Sequence, residues 1–263
     1  MPVFLFGDFR WPVGYHAPVL PLVAAATLAG AAWGSVLPGL VNRYAVAWPD
    51  GTERPPWRRG CGHCGAAGPG WWRSSGACPT CGRRPTPGRW VTVPLVAALC
   101  GSVATAVGAA PALPAFLLLA AIAVPLALVD LKVLRLPDPL VGAALVGGVV
   151  LLVLASVVER DAGALLRAGL AALVCGVGYS TLALLPGSQL GFGDVKLGAV
   201  LGLYLGWLGW FAVVAGVLLA PVLNLPLVIG LVIAGRAGRK TAVPYGPAML
   251  VAAIAATVLA TLR

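Results

Sequence analysis

Residues 191–196 read GFGDVK and place a carboxylate, that of Asp194, directly before a long apolar run. An acidic side chain in the hydrocarbon core of a membrane costs about 2.5 kcal/mol or more, so it is retained where it has a role. Gly191 and Gly193 let the backbone bend and approach other groups closely. The hexapeptide therefore predicts that Asp194 stands at the start of a helix, near a membrane boundary and with little side-chain bulk around it.

Asp130 is a second acidic residue in the same setting. It ends the apolar run 115–129 and is followed by a turn with the sequence LPD at 136–138. Two carboxylates held close together cannot both ionise, so they share one proton and form an acid–base dyad. The sequence is also compatible with two helix-end carboxylates that pair with Lys132 and Lys196.

The composition is that of a polytopic membrane protein. Charged residues make up 10% of the chain and the mean hydropathy is +0.94, whereas about 25% of the residues in a soluble domain are charged. The chain has eight apolar runs, and most of them reach the roughly 17–25 residues that a membrane span needs: 17–40, 91–109, 114–130, 140–157, 164–186, 195–209, 211–234 and 244–262. We therefore predict an all-α fold with about eight transmembrane helices.

The basic residues predict the orientation of the chain. Fourteen of the 18 lie in four segments that eight spans place on one side of the membrane: 41–90, 131–139, 187–196 and 235–243. The positive-inside rule makes that side cytoplasmic, with both termini outside and with Asp130 and Asp194 at the cytoplasmic face of the plasma membrane. The net charge of +10 is thus explained by topology and does not indicate nucleic-acid binding.

The segment 41–90 is the polar piece of the chain and contains two CxxC pairs, Cys61 with Cys64 and Cys78 with Cys81. Paired CxxC motifs at about this spacing are typical of a four-thiolate zinc site. Disulfides or a redox pair are the alternative, which a cytoplasmic location disfavours. Because four protein ligands leave no position open for water, the predicted zinc is structural and stabilises a loop that is too small for a core of its own.

Three segments together resemble a known family. GFGD at 191–194 resembles the GxGD signature of the membrane aspartic peptidases that process type IV prepilins, and Asp130 with its LPD turn is similar to their first aspartate motif. Residues 244–247, PYGP, look like the PFGP-type segment of that family. The resemblance extends over most of the chain and implies that Asp130 and Asp194 are the catalytic pair of an aspartic endopeptidase.

The resemblance also implies the chemistry and the substrate. We expect one aspartate to act as general base on a water while the other, protonated, polarises the scissile carbonyl. The implied substrates are prepilin or pseudopilin precursors, with a basic leader in the cytoplasm and an apolar helix in the bilayer. Gly191, Gly193, Lys132 and Lys196 are expected to support the active-site loops or, for the lysines, to meet lipid phosphates. Asp138 is expected to cap the next span.

Two departures from the family pattern concern a second activity. In the family that the chain resembles, bifunctional members also methylate the new N-terminus with S-adenosylmethionine. Their motifs carry Asn and Glu where this chain has Pro38 and Ala97. These changes remove polar groups that orient a cofactor or an amine, and the chain contains no glycine-rich nucleotide-binding fingerprint. We predict that peptidase activity is retained and that methylation is weak or absent.

Two other functional classes are compatible with parts of the sequence. A transporter that uses both aspartates for ions or protons requires further polar residues along its spans, which here are nearly bare of them. A membrane-anchored zinc module that binds a partner would leave the aspartates structural.

For the peptidase, the predicted division of the chain is an N-terminal segment with the first span at 1–40, a zinc loop at 41–90 and a seven-helix core at 91–263.

Overall fold

The computed structural model describes residues 19–46, 57–66, 76–188, 190–235 and 243–261, and within these ranges it contains eight helices and no strand. The helices are α1 (Val19–Tyr44), α2 (Arg89–Val107), α3 (Leu113–Val133), α4 (Asp138–Glu159), α5 (Ala162–Leu184), α6 (Phe192–Leu208), α7 (Trp210–Ile233) and α8 (Gly246–Thr261). Each helix coincides with one of the apolar runs, so the predicted all-α architecture is confirmed.

The helices are those of a multi-pass membrane protein. Six of the described helices, α1 to α5 and α7, are long and apolar enough to cross a membrane. α8 is a shorter apolar helix of 16 residues, and α6 has 17 residues, most of which are buried between its neighbours. Large apolar side chains remain exposed along α4, α5 and α7, as expected for helices that face lipid.

Several helix boundaries differ by a few residues from those predicted, and two of these differences concern α1 and α6. α1 continues to Tyr44, past the predicted end of the first span at residue 40, and Pro38 lies inside the helix rather than at its end. A membrane helix tolerates an internal proline because neighbouring helices and side chains satisfy the freed backbone groups. α6 begins at Phe192, earlier than the predicted residue 195, because Asp194 itself closes the first turn.

α1 and α2 are in close contact through glycines. A Cβ atom on Gly34 would lie 2.7 Å from the backbone oxygen of Thr92, and a Cβ atom on Gly30 would lie 2.9 Å from that of Val96. The buried Thr92 hydroxyl donates a hydrogen bond to the backbone oxygen of Gly34, at 2.7 Å. Small residues at this spacing let two membrane helices approach closely, and here they hold the two ends of the cysteine-containing loop together.

α5 and α6 form a second close contact of the same kind. A Cβ atom on Gly202 would lie 2.6 Å from the backbone oxygen of Ala171. Arg167 is buried and donates through Nε to the backbone oxygen of Gly206 and through Nη2 to that of Trp207, both at 2.8 Å. These bonds satisfy carbonyls in the last turn of α6, which have no partner within the helix. α6 is thus anchored on α5 at its C-terminal end.

α3 and α6 are the central helices of the bundle. α3 contacts α1, α2, α4 and α8, and α6 contacts α4, α5, α7 and α8. Asp130 lies in the last turn of α3 and Asp194 in the first turn of α6. Because α4 and α8 contact both central helices, the two helix ends that contain the aspartates come together at one end of the bundle.

Candidate active site

Asp130 and Asp194 line one cavity of about 410 Å³ at that end of the bundle. The remaining lining comes from the end of α1, the connection between α3 and α4, and the start of α6: Tyr44, Val46, residues 134–139, residues 191–193 and Lys196. Two carboxylates that are 64 positions apart in the sequence therefore face one space large enough for a short stretch of peptide.

Asp130 is buried, with 5% of its surface exposed, and its carboxylate is held by the start of α8. Asp130 Oδ2 accepts a hydrogen bond from the backbone N–H of Gly246, at 3.2 Å. A Cβ atom on Gly246 would lie 2.9 Å from that oxygen, so glycine is what allows the helix to approach. The N-terminus of a helix favours a negative charge beside it, and this contact fixes the orientation of the carboxylate.

Asp194 is held by its own loop. Its Oδ2 atom accepts a hydrogen bond from the backbone N–H of Gly191, at 3.2 Å, and this bond closes the first turn of α6. A Cβ atom on Gly193 would lie 3.2 Å from Leu136 Cβ, so the backbone at Gly193 is packed directly against the α3–α4 turn. The two glycines of the GxGD segment thus serve different contacts, one a hydrogen bond and the other a close approach.

The two lysines that follow the aspartates have different partners. Lys196 Nζ forms an ion pair with Asp138 Oδ1 at 2.6 Å. Lys132 is absent from the cavity lining and donates to the backbone oxygen and to Oγ1 of Thr86, in the segment that precedes α2. The prediction that Asp138 caps α4 is wrong, because Pro137 occupies the N-cap position without a side-chain bond and the Asp138 carboxylate turns to Lys196 instead.

Gly246 also belongs to the site, and it was not selected from the sequence. Gly246 was noted only as part of a similar segment, although a glycine between Tyr245 and Pro247 at a helix start is itself a sign of close backbone approach.

The four cysteines of the loop form a group able to hold a metal ion. Their Sγ atoms all lie within 4.8 Å of one another, with Cys61 and Cys81 at 3.8 Å and Cys64 and Cys78 at 3.8 Å. Thiolates about 2.3 Å from a tetrahedral zinc lie about 3.8 Å apart, whereas sulfurs in a disulfide are about 2.05 Å apart. The arrangement therefore fits a metal centre and excludes disulfides between these pairs.

The backbone of each CxxC pair is shaped in the same way. The backbone oxygen of Cys61 accepts from the N–H of Gly65 at 3.0 Å, and that of Cys78 accepts from the N–H of Gly82 at 2.8 Å. Both glycines have positive φ, 71° and 68°, a conformation that other residues adopt at a cost. The glycine after each pair thus turns the chain so that two sulfurs point to one centre.

Backbone N–H groups inside the turns also favour thiolates. Those of Cys64 and His63 lower the pKa of the Cys61 thiol to about 6, and those of Cys81 and Thr80 lower the pKa of the Cys78 thiol. Such a turn stabilises negative charge on sulfur, and the thiolate is the form that binds a metal.

The cysteine loop is attached to the ends of α1 and α3. The backbone N–H of Arg58 donates to the backbone oxygen of Arg43 at 2.8 Å, and the Arg43 guanidinium lies 5.7 Å from the centre of the Trp57 ring. Lys132 supplies the link to α3 through Thr86. Since Tyr44 directly follows Arg43 and lines the cavity, the loop and the cavity share a boundary.

Residues 115–262 match the type IV leader peptidase family. The chain belongs to this family. A prepilin leader peptidase/N-methyltransferase of Aeromonas hydrophila is 32% identical over 219 residues, which cover 77% of this chain and 73% of that protein. Proteins of the same name from Aeromonas salmonicida, among them that of strain A449, are 34% identical over 139 residues, 52% of this chain and 46% of their own length. No solved structure matches the chain.

Membership of the family confirms the resemblance on which the sequence analysis relied. The protein is a membrane peptidase, and the match covers α3 to α8, which include both aspartates and the PYGP segment. The cysteine loop and α1 lie before residue 115 and so outside the matched range. The alignment with the Aeromonas hydrophila protein covers 219 residues, more than the 148 residues of that range, so it includes residues outside the range.

Proposed function

We propose that this protein is an aspartic endopeptidase that removes the leader peptide from type IV prepilin-like or pseudopilin precursors. The observation that carries the proposal is the pair Asp130 and Asp194, contributed by two central helices to one cavity. The names of the relatives supply the substrate class. The finer parts of the proposal are the roles of the two carboxylates, the side of the membrane on which they act, and the metal in the cysteine loop.

The dyad acts as a unit on one water molecule. One carboxylate removes a proton from the water, whose oxygen attacks the scissile carbonyl carbon, while the other, protonated, donates its proton to the carbonyl oxygen. The tetrahedral diol then collapses, the C–N bond breaks and the amine leaves with a proton from the dyad. The backbone N–H groups of Gly246 and Gly191 hold the two carboxylates in place during these steps.

The cytoplasmic face is the side proposed for cleavage. The cavity is at the end of the bundle that contains Arg135, Lys196 and the cysteine loop, and this end holds most of the basic residues that the structure describes. By the positive-inside rule it faces the cytoplasm, with both termini outside. A precursor with a basic leader in the cytoplasm and an apolar helix in the bilayer would present its cleavage site at this depth.

A transporter is less well supported by the described residues. Apart from Asp130, their buried polar side chains are Thr92, Ser156, Arg167 and Thr257. Each donates a hydrogen bond to a backbone oxygen. Such groups are already satisfied inside the helix bundle, so they do not form a path for ions or protons across it.

Co-expression with a type IV pilin precursor tests the proposed function. In a strain without a leader peptidase of its own, we expect the wild-type protein to convert the precursor to a form that is lighter by the mass of its leader, as measured by intact mass spectrometry. The same strain without the protein serves as the control. A precursor that keeps its full mass beside normally expressed, membrane-inserted protein would contradict the proposal.

For the cysteine loop we propose a structural zinc ion, held by Cys61, Cys64, Cys78 and Cys81. We expect about one zinc per chain in protein purified without chelators, and its loss when any of the four is changed to serine, because a neutral hydroxyl is a poor replacement for a thiolate ligand. Elemental analysis measures the zinc content. Cys100→Ser is the matched control, because Cys100 is buried between α1 and α2 and should leave the zinc content unchanged. Protein free of any transition metal would contradict the assignment.

We propose that N-methylation of the product is weak or absent, although the relatives are named as methyltransferases as well. The reason is the loss of polar groups at Pro38 and Ala97, so S-adenosylmethionine is a cofactor only if methylation takes place. Mass spectrometry of the N-terminal peptide of the mature pilin checks this, and we expect it to be largely unmethylated. A uniform gain of one methyl group that depends on this protein and on S-adenosylmethionine would overturn the proposal.

A further inference from the structure

Leu136 stands between the two backbone segments that hold the aspartates. A Cβ atom on Gly193 would lie 3.2 Å from Leu136 Cβ, and a Cβ atom on Gly246 would lie 3.2 Å from Leu136 Cδ2. Gly193 directly precedes Asp194, and Gly246 donates its N–H to Asp130. One side chain is therefore packed against the support of each carboxylate and acts as a spacer between them.

Asp138 and Lys196 join the same two elements on the rim of the cavity. Asp138 is the first residue of α4, and Lys196 lies in α6, two residues after Asp194. Their ion pair, at 2.6 Å, links the end of the α3–α4 turn to the start of α6. The pair lines the cavity together with the aspartates, so any movement of α6 relative to the turn would stretch it.

The turn itself has little conformational freedom. Leu134 adopts a left-handed conformation with φ 53°, and its N–H donates to the backbone oxygen of Asp130 at 2.8 Å. Pro137 and Pro139 follow, and each proline restricts its own φ and the conformation of the residue before it. Because the turn is stiff, the positions of Asp130 and Asp138 are fixed relative to each other. The ion pair between Asp138 and Lys196 then restrains Asp194, which lies two residues before Lys196.

The ion pair adds little to the stability of the fold, and its expected effect is on the positions of the catalytic groups. The side chains of Lys196 and Asp138 are 55% and 72% exposed, and pairs so exposed contribute little to the free energy of folding. A displacement of about 1 Å in a catalytic group, in contrast, lowers the rate by about a hundredfold. A residue that holds the dyad in position is therefore expected to affect turnover much more than folding.

We propose that Leu136, Asp138 and Lys196 are positioning residues that set the separation of Asp130 and Asp194. Leu136 keeps the two supports apart and the ion pair holds them together. None of the three is a catalytic residue, since the proposal has each act through the aspartates. The inference rests on the proposed peptidase function and deepens it by assigning the α3–α4 turn a part in catalysis.

A double-mutant cycle on the ion pair tests the proposal. Asp138→Asn and Lys196→Gln are each expected to lower kcat for cleavage of a purified pilin precursor by about tenfold, with KM within about twofold of the wild-type value. Because the two residues act through each other, the double variant should be no slower than the slower single variant. Lys196→Arg, which keeps the pair, should retain most of the activity.

Leu136 gives an independent measurement. Leu136→Ala should lower kcat by about tenfold or more because it removes the spacer, whereas Leu136→Met, which conserves volume, should stay close to the wild type. Thermal unfolding in detergent shows whether each variant is folded. If Leu136→Ala is unfolded, the variants of the exposed ion pair still test the proposal, because they change no buried contact.

Asp161→Asn is the matched control for Asp138→Asn. Asp161 precedes α5 and accepts a hydrogen bond from the N–H of Ala164 at 3.0 Å, a capping role that asparagine also fills. The Asp161→Asn variant should leave kcat unchanged. Wild-type kcat in both ion-pair variants, multiplying effects in the double variant, or a change in KM alone would overturn the positioning role. A wild-type protein that cleaves no precursor would instead overturn the proposed function, so the two failures are distinguishable.

Discussion

Asp130→Asn and Asp194→Asn are each expected to lower cleavage of a pilin precursor by about 10²–10⁴-fold or more, which is the range that a positioned acid or base contributes. Asparagine has nearly the shape of aspartate, and its side-chain oxygen still accepts the hydrogen bond from Gly246 or Gly191. It cannot take a proton from water or donate one as a carboxylic acid does. The variants should therefore fold and insert but not cleave, as measured by the mass of the co-expressed pilin.

Asp161→Asn is the control for this experiment too, since it makes the same chemical change at the N-cap of α5. Wild-type rates in either dyad variant would contradict the assignment of that aspartate. Asp138→Asn is expected to be intermediate. Loss of the helix cap expected for Asp138 from the sequence would have a milder effect, and the ion pair of Asp138 with Lys196 changes that expectation.

Gly202→Leu is expected to push α5 away from α6 and to lower both stability and activity. A Cβ atom at residue 202 would lie 2.6 Å from the backbone oxygen of Ala171 and 2.9 Å from Cys175 Cβ, so the backbone of α5 must move. Overpacking of this kind costs about 1–3 kcal/mol and sometimes more. Because α6 contains Asp194, the displacement also disturbs the dyad. Thermal unfolding in detergent and the cleavage assay measure the two effects.

Gly178→Leu is the matched control for Gly202→Leu. Gly178 lies on α5, and a Cβ atom there would meet nothing within 4 Å. The same substitution at this open position should leave both the midpoint of unfolding and cleavage nearly unchanged. A Gly202→Leu variant that unfolds at the wild-type temperature would show that α5 and α6 are not in the close contact described above.

Local sequence determined the helices and the shape of the cysteine turns. Eight apolar runs became eight helices because a backbone in lipid must satisfy its own hydrogen bonds, and helices do so within a single segment. The cysteine turns were equally predictable, since the spacing of two cysteines and the glycine after them fix a local geometry. The prediction that Asp130 and Asp194 form a pair came from short motifs whose residues are adjacent in the chain.

The long-range contacts around those aspartates were decided by the tertiary structure, whereas the bond from Gly191 to Asp194 is local. The hydrogen bond from Gly246 to Asp130 spans 116 positions, and the ion pair between Lys196 and Asp138 spans 58. The spans are apolar around most of their circumference, so their periodicity does not tell which face of a helix meets which neighbour. Only the packing of α3, α4, α6 and α8 brings these residues to one cavity, and for that reason the cap predicted for Asp138 became a contact with another helix.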